Sequence, residues 1–540
     1  MRWRSKTWRE ASVAAAFCVA TLLPFLGKAY HVDEPFYLAV ARQIQADPLH
    51  PTAFSFNWYG RSRPMSRLNT QPTFVPYLLA PVLAVTGGAE WRTRLAFLPF
   101  NAMAAVFLYL LAARFLKHPL LPTLVVLAGP AFLINTQHLM AEKWLAAFGF
   151  AGLYYWVLAC DEERPFAPWI AAVLLGAALL VKYSAVFLVP TAAFYAWRRR
   201  VPPARAALFL GLAASPVSAY LLWGAVFEFG RIASVWTLIS GGMSAEFSSW
   251  VHRLRALLAF SGGCCVVACW WPAFVLEGRT RTRAAAGAAA CAALVFLPLW
   301  DVGPVAGSDR ALGILMAWGG LFAWAAVFRE GGQASPGRGL WTAWIASVAF
   351  LQLFVYWSVV SRFILFLMPP TVFGLAQALE ARSGGGRRRL YGTSLAAVAA
   401  LGLCLAWVDR RHADAQKEFA QALSAAHPPQ AGLRLWYTGH WGFQYYLEGL
   451  GAQALDGARG GWDEVRAGDL VAVPAVNTNV LYPAVARQAY ATKTLAFHPL
   501  PLRLMSRQQS QAAFYSSVWG FLPFAFSREP VEEFTLYEPL

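Results

Sequence analysis

Charged residues are scarce in this chain: Asp, Glu, Lys and Arg make up 14% of the 540 residues, whereas 58% are hydrophobic. A soluble protein of this length could not bury so much apolar surface, so the composition predicts a polytopic membrane protein. Basic residues outnumber acidic ones, 45 to 28. They fall in short clusters between apolar segments, as the positive-inside rule expects, and this pattern excludes nucleic-acid binding as the reason for the charge.

Cysteine is also sparse, and its placement excludes two kinds of site. All seven cysteines lie in or beside apolar segments and none follows residue 404, so we expect no disulfide framework in the polar carboxyl-terminal part. The cluster Cys264-Cys265-x-x-x-Cys269 lacks histidine partners and metal-ligand spacing. It indicates close packing of small residues between helices.

Apolar segments alternate with basic clusters along residues 11–408, and this alternation predicts the topology. Placing every larger basic cluster inside gives about thirteen transmembrane helices, an inside amino terminus and an outside carboxyl terminus. No small-x-small cleavage site follows the basic amino terminus, which predicts an uncleaved anchor. The predicted spans are 11–29, 94–115, 119–136, 144–160, 168–181, 184–197, 206–226, one between 252 and 279, 284–300, 311–328, 341–359, 363–380 and 391–408.

Two long outer loops follow from this topology, at residues 30–93 and 227–252. The segment 73–86 within the first loop is apolar enough to be mistaken for a span. Counting this segment as a span would reverse the predicted orientation of every later span and put the arginine triplets outside. We therefore predict a helix lying at the membrane interface for this segment.

Residues 409–540 differ in kind from the apolar part. The helical segment HADAQKEFAQALSAA is followed by the β-prone runs LRLWYT, GDLVAVPAV and FTLYEPL, with a further helical segment, WGFQYYLEGLG, among them. This alternation predicts a small α/β domain. The predicted organisation is thus mostly α, with a transmembrane module over residues 1–408 and an extracytoplasmic soluble α/β domain over 409–540.

The most informative polar feature is an acid pair, Asp33-Glu34, just past the first predicted span. Ordinary stop signals are Lys and Arg, and adjacent carboxylates repel each other unless a cation, a proton or a function holds them. Ionisable residues at this depth are functional candidates by default. On the predicted topology the pair shares the outer face with Asn57 to Arg63, Gln71-Pro72, Glu142-Lys143, Lys182-Tyr183 and Arg362-Phe363.

These segments, in this order, resemble the GT-C superfamily of membrane glycosyltransferases. The likeness is to the branch that contains protein O-mannosyltransferases and the bacterial aminoarabinose transferase of lipid A. The acid pair matches as Asp33-Glu34-Pro35-x-Tyr37, and the lysine element after the fifth span matches as Leu180-Val181-Lys182-Tyr183. The motifs cover roughly residues 10–200, and the remainder resembles the family through topology.

Three positions depart from the family pattern. Gln71-Pro72-Thr73 stands where the family has a His-Pro-Pro-like turn, and Met140-Ala141-Glu142 stands where it has Met-x-Asp. Arg362-Phe363 replaces an Arg-Tyr pair ahead of a proline-containing helix. The resemblance nevertheless implies a GT-C-like fold and a hexosyl or pentosyl transferase.

Glycosyl transfer from a lipid phosphate needs a carboxylate that deprotonates the acceptor hydroxyl and cations that stabilise the departing phosphate. With the resemblance, this assigns Asp33 as the general base and Lys182 and Arg362 as phosphate ligands. A divalent metal at Asp33 and Glu142 is left open. The other predicted site residues are Glu34 and Glu142 for orienting the acceptor, Arg63 and Arg67 for the phosphate, and Tyr37, Trp58, Tyr59 and Gln71 in the substrate loop.

Plainer interpretations stand beside these roles. Lys182 and Arg362 are also placed where cations snorkel at helix ends, and Glu142 where it could form a salt bridge with a basic neighbour. Trp58-Tyr59 is equally suited to anchoring the chain at the interface.

The predicted function is transfer of a sugar from a polyprenyl-phosphate donor to a lipid, glycan or protein outside the bacterial cytoplasmic (inner) membrane. The inner loops show no Gly-rich phosphate loop, which disfavours a nucleotide-sugar donor. A transporter or flippase is the first alternative, although the sequence shows none of the internal repeats such proteins carry. A non-catalytic scaffold for envelope assembly is the second.

Overall fold

The computed structural model describes residues 2–162, 164–227, 249–301, 303–331, 336–382, 386–427, 434–483, 490–497, 501–506 and 510–539. These residues are mostly helical up to residue 426 and mixed beyond it. The described α-helices are Arg2–Leu22, Glu34–Ala46, Met65–Leu68, Phe74–Thr86, Glu90–Ala113, Leu120–Ala128, Pro130–Asn135, Glu142–Asp161, Ala167–Val181, Leu188–Arg198, Pro203–Phe227, Trp250–Cys264, Trp271–Val275, Gly278–Val295, Gly307–Gly331, Pro336–Phe350, Ser361–Glu380, Arg387–Ala426 and Trp441–Glu448.

The predicted fold class is confirmed, because the predicted spans coincide with helical backbone. Six of the described helices are long and apolar enough to cross a bilayer. Others are shorter. The predicted span 119–136, for example, is divided at Gly129 into the helices Leu120–Ala128 and Pro130–Asn135. A Cβ there would lie 2.0 Å from Met368 Cε, and Pro130 can begin a helix but not continue one. The count of thirteen crossings stays a prediction, and most of the predicted loop 227–252 lies outside the described residues.

The first loop contains three helices, Glu34–Ala46, Met65–Leu68 and Phe74–Thr86, and a small hairpin. Strands β1 (Ser55–Asn57) and β2 (Ser62–Pro64) pair antiparallel around Gly60. The segment predicted to lie at the interface is the helix Phe74–Thr86, which packs on the helix Glu34–Ala46. It ends at Gly87 with a φ of +65°, the left-handed conformation in which helices commonly stop. Its position relative to the membrane stays a prediction.

The helix Arg387–Ala426 joins the two parts of the chain. Its 40 residues extend about 60 Å at 1.5 Å per residue. It contacts the helices Leu120–Ala128 and Pro130–Asn135 as well as Trp441–Glu448 beyond the apolar region. The boundary that we predicted between residues 408 and 409 falls inside this helix, which therefore belongs to both parts.

The carboxyl-terminal region has the predicted mixture of helix and sheet. The strands are β3 (Leu435–Tyr437), β4 (Gln453–Ala454), β5 (Leu470–Pro474), β6 (Tyr490–Phe497), β7 (Leu502–Arg503), β8 (Ala525–Phe526) and β9 (Glu532–Pro539). The main sheet has the order β4-β3-β5-β9-β6, with β3 parallel to β4 and β5, and β9 antiparallel to β5 and β6. Phe419 of the long helix stacks on Phe534 at 4.3 Å between ring centroids, and Phe443 stacks on Phe534 at 5.4 Å.

This region is fixed against the segment that leads into the acid pair. The backbone N–H of Tyr30 donates to the Tyr446 hydroxyl at 2.7 Å, and that of Ala29 donates to Asp414 at 2.9 Å. A Cβ at Gly442 would lie 2.0 Å from the Tyr30 carbonyl oxygen, so only glycine allows this approach. The two parts of the chain therefore meet directly beside Asp33.

Candidate active site

A cavity of about 590 Å³ lies where the start of the helix Glu34–Ala46, residues 356–363 and the carboxyl-terminal region meet. Most of the predicted site residues line it, although they come from three distant parts of the sequence: the first loop and the segments around residues 182 and 362. These residues are Asp33, Tyr37, Trp58, Tyr59, Gln71, Lys182 and Arg362.

Asp33 presents its carboxylate to the cavity because its backbone, and not its side chain, caps the following helix. The Asp33 carbonyl oxygen accepts hydrogen bonds from the N–H groups of Phe36 and Tyr37, and the side chain makes no cap bond. Arg362 Nη1 donates to Asp33 Oδ2 at 2.6 Å. The two side chains are 18% and 31% exposed, for Arg362 and Asp33 respectively. The ion pair is thus open to a ligand in the cavity.

Lys182 is the second cation of the cavity. It follows the last residue of the helix Ala167–Val181 in an extended conformation, and its Nζ donates to Glu142 Oε1 at 2.7 Å. The same Nζ lies 4.8 Å from the ring centroid of Phe363. Glu142 itself is buried behind Lys182 and is not among the lining residues. The salt bridge that we considered as the plainer interpretation of Glu142 is therefore present, and its partner is a predicted phosphate ligand.

Glu34 is fully buried and does not line the cavity. Its carboxylate accepts hydrogen bonds from Arg94 Nη2 at 2.9 and 3.0 Å and from the backbone N–H groups of His31 and Leu139, each at 2.7 Å. Burial alone would raise the pKa of Glu34, but Arg94 and His138 hold it well below its usual range. The structure thus separates the two neighbouring acids, with one facing the cavity and one holding the backbone around it.

The remaining predicted residues are not brought to the site. Arg63 and Arg67 are exposed and do not line the cavity.

Among the described residues, no group of three or more His, Cys, Asp or Glu side chains could hold a metal ion. Asp33 and Glu142 each have a cationic partner instead. These two carboxylates therefore do not fit the metal site that we left open, and no step is assigned to a metal.

A buried polar network beside the cavity was missed by sequence reasoning. Lys28 forms an ion pair with Asp409 and lies 3.1 Å from His138 Nε2. The Tyr515 hydroxyl donates to Asp409 and lies 3.0 Å from the same histidine nitrogen. Tyr515 also lines the cavity. Lys28 lies inside an apolar predicted span, and a charged residue in such a position could have been recognised as a functional candidate.

The carboxyl-terminal wall of the cavity was also missed. It includes Trp441, Asn477, Asn479 and Trp519. The helix that begins at Trp441 was predicted, but nothing local in the sequence shows that its first residue reaches the site. The backbone around Tyr515 is held against residues 359–361, because the Ser361 N–H donates to the Phe514 carbonyl oxygen at 3.0 Å.

Comparisons with known proteins agree with this architecture. Residues 70–223 match the sequence model of the dolichyl-phosphate-mannose-protein mannosyltransferase family. The crystal structure of ArnT from Cupriavidus metallidurans bound to undecaprenyl phosphate is similar over 86% of this chain and 92% of that chain, with a TM-score of 0.51 and 12% identity. No curated protein matches the sequence. The fold is similar to that of the solved ArnT structure, and the predicted resemblance to this branch is confirmed by both comparisons.

The buried role of Glu34 can be tested with Glu34→Gln, which keeps the shape but leaves Arg94 buried without a counter-charge. We expect a loss of roughly 3–5 kcal/mol in the free energy of unfolding, measured as a fall in the melting temperature of the purified protein in detergent. Asp47→Asn is the control, since Asp47 is an acid after the same helix whose side chain is 44% exposed. A melting temperature of Glu34→Gln equal to that of the control would contradict the assignment.

A comparison of the wild type with Glu34→Gln over a range of pH tests the lowered pKa of Glu34. Because folding lowers this pKa, the carboxylate contributes fully to stability above the ordinary carboxyl pKa. The contribution is lost as the pH falls below that value. The melting temperatures of wild type and Glu34→Gln should therefore converge in acid.

Proposed function

We propose that this protein is a glycosyltransferase of the bacterial cytoplasmic (inner) membrane that moves a sugar from a polyprenyl-phosphate donor to an acceptor hydroxyl on the outer side. One observation carries the proposal: a single cavity contains an accessible carboxylate, Asp33, and two cations, Arg362 and Lys182. A base for the acceptor and positive charge for the departing phosphate are the two requirements of this reaction.

In the proposed step, Asp33 takes the proton of the acceptor hydroxyl as its oxygen attacks the anomeric carbon. The bond between that carbon and the phosphate oxygen breaks, and the electron pair leaves with the phosphate. Arg362 and Lys182 then stabilise the negative charge of the phosphate. Atoms and charge balance, because the donor supplies the sugar and the acceptor supplies the proton.

The ion pairs of the site give this step a means of activating the base. Without substrate, each cation already has a carboxylate partner, with Asp33 on Arg362 and Glu142 on Lys182. A donor phosphate competes with Asp33 for the guanidinium of Arg362. As Arg362 turns to the phosphate, Asp33 Oδ2 loses its hydrogen bond from Arg362 and can contact the acceptor hydroxyl instead. Donor binding would thereby release Asp33 from its ion pair.

The comparisons support the class of donor. The matched family is named for dolichyl-phosphate-mannose, and the matched structure contains undecaprenyl phosphate. Dolichyl phosphate and undecaprenyl phosphate are both polyprenyl phosphates that carry sugars. A lipid donor would reach an outer cavity laterally from the bilayer, and the apolar helix Phe74–Thr86 would border that path.

The base is tested by Asp33→Asn, which removes the proton acceptor at nearly constant size. Transfer from an undecaprenyl-phosphate sugar to acceptors in an envelope extract should fall about 100-fold or more. The fold should persist, because the side chain is partly exposed. Asp47→Asn should retain the wild-type rate. An Asp33→Asn variant that works at a near-normal rate would favour a non-catalytic role for the acid pair.

The phosphate role of Lys182 needs a test that separates it from the salt bridge with Glu142. Lys182→Met alone leaves Glu142 buried without a partner, so a loss of activity could reflect misfolding. The double variant Lys182→Met, Glu142→Gln removes both charges. We expect it to regain stability but to keep a donor KM raised about tenfold or more, the effect of one lost charge-assisted hydrogen bond.

Lys182→Arg serves as the conservative control and should keep part of the donor affinity, because it keeps the positive charge. If the double variant recovers both the melting temperature and the donor KM, Lys182 acts only through its salt bridge.

A further inference from the structure

The wall of the cavity that the carboxyl-terminal region contributes is aromatic and neutral. From it we infer that the acceptor is a saccharide, held by a subsite that the carboxyl-terminal region builds from Trp441, Asn479 and Trp519 together with Gln71 of the first loop. The inference rests on the proposed glycosyl transfer and names the acceptor class for it.

The charges of the cavity indicate a neutral acceptor. Among the described residues that line it, only Asp33, Lys182 and Arg362 are ionisable with a charge at neutral pH. The proposed reaction engages all three, one with the reacting hydroxyl and two with the donor phosphate. A charged acceptor group would need a further opposite charge to offset its desolvation, and the described lining offers none.

The polar groups that remain are suited to hydroxyls. A hydroxyl both donates and accepts hydrogen bonds, and so do the side-chain amides of Gln71 and Asn479. Gln71 Oε1 is buried and has no hydrogen-bond partner among the described residues. Trp441 and Trp519 lie with their ring centroids 6.2 Å apart. Indole rings offer a flat apolar face with a polar edge, which matches the C–H face and hydroxyl rim of a sugar ring.

Positive-φ residues are concentrated around the cavity. Four described non-glycine residues have a positive φ, and three of them line this cavity: Val32 at +51°, Trp441 at +62° and Asn479 at +52°. Such conformations are unfavourable for residues with a side chain and persist where the surrounding structure enforces them, often at functional sites. Val32 directly precedes the proposed base, whereas Trp441 and Asn479 belong to the carboxyl-terminal wall. Both halves of the cavity are therefore held in place at an energetic cost.

The hydrogen bonds around Trp441 show how this conformation is enforced. Asn477 accepts from the backbone N–H of His440 at 2.7 Å and donates to the His440 carbonyl oxygen at 3.0 Å. This pair of bonds fixes the residue before Trp441 from both sides. The indole is thereby presented to the cavity by a rigid turn.

A peptide acceptor is less well matched by the same wall. Extended peptides commonly bind by adding a strand to the open edge of a sheet. None of the residues in the described strands β1 to β9 lines the cavity. The lining instead offers side chains from turns and helix ends, as a compact ligand would require.

The test is direct binding, independent of the donor. Detergent-solubilised full-length protein is applied to an array of oligosaccharides from bacterial envelopes, Ser/Thr-rich peptides and phosphatidylglycerol. We expect binding to oligosaccharides, weakened at least tenfold in Trp519→Ala and in Asn479→Gly. Glycine tolerates a positive φ, so Asn479→Gly removes the amide without straining the turn. Phe526→Ala is the control, because Phe526 is exposed in the same region and does not line the cavity.

Binding to peptides or phosphatidylglycerol alone, or no binding at all, would overturn the inference. Oligosaccharide binding that both variants retain would also overturn it, because the sugar would then bind elsewhere. Consumption of an undecaprenyl-phosphate sugar is measured separately in the same preparations. If that donor is consumed while the array result fails, the acceptor class is wrong and the glycosyl transfer stands; if it is never consumed, the glycosyl transfer itself fails.

Discussion

The buried carboxylate of Glu34 is the contact on which the geometry of the site depends. It joins three parts of the chain: its own loop through the N–H of His31, the turn before the fourth predicted span through the N–H of Leu139, and a long apolar helix through Arg94. Arg94 in turn donates to the carbonyl oxygens of Ala29 and Gln137. Because a charge this deeply buried must be paired, these segments can pack in few other ways. Asp33, one residue earlier, is then directed at the cavity.

The second constraint couples the membrane part to the carboxyl-terminal region. Lys28 and Asp409 neutralise each other out of contact with water, and Tyr515 completes the network from the far end of the chain. Since Tyr515 also lines the cavity, the wall that we assign to the acceptor is fixed relative to the proposed base. Substrate position is therefore set by buried charges as well as by the cavity walls.

Much of the fold could be predicted from the sequence, because apolar length and basic clusters report directly on the lipid environment. The β-prone runs likewise reported the sheet, with GDLVAVPAV becoming the fully buried strand β5. The helix Arg387–Ala426 was harder, since its composition changes from apolar to polar midway while its backbone continues. A boundary based on composition therefore falls inside it.

The site was predictable where a charge stood at the end of an apolar segment, as for Asp33, Lys182 and Arg362. The pairing of Asp33 with Arg362 was not, because 329 residues separate them and only packing brings them together. Arg63 and Arg67 show the converse: they share a loop with lining residues, yet sequence proximity does not reveal which way a side chain points. Trp441 and Trp519 carry no local signal, since their role depends on how the carboxyl-terminal region docks.

The proposed function requires a lipid-linked phosphate to bind between the two cations of the cavity. A cryo-electron microscopy structure of the protein with undecaprenyl phosphate would show where the phosphate binds. We expect phosphate density within hydrogen-bond distance of Lys182 Nζ and the Arg362 guanidinium, with the contact between Arg362 and Asp33 lengthened from 2.6 Å. Phosphate bound outside this cavity, with both ion pairs unchanged, would contradict it.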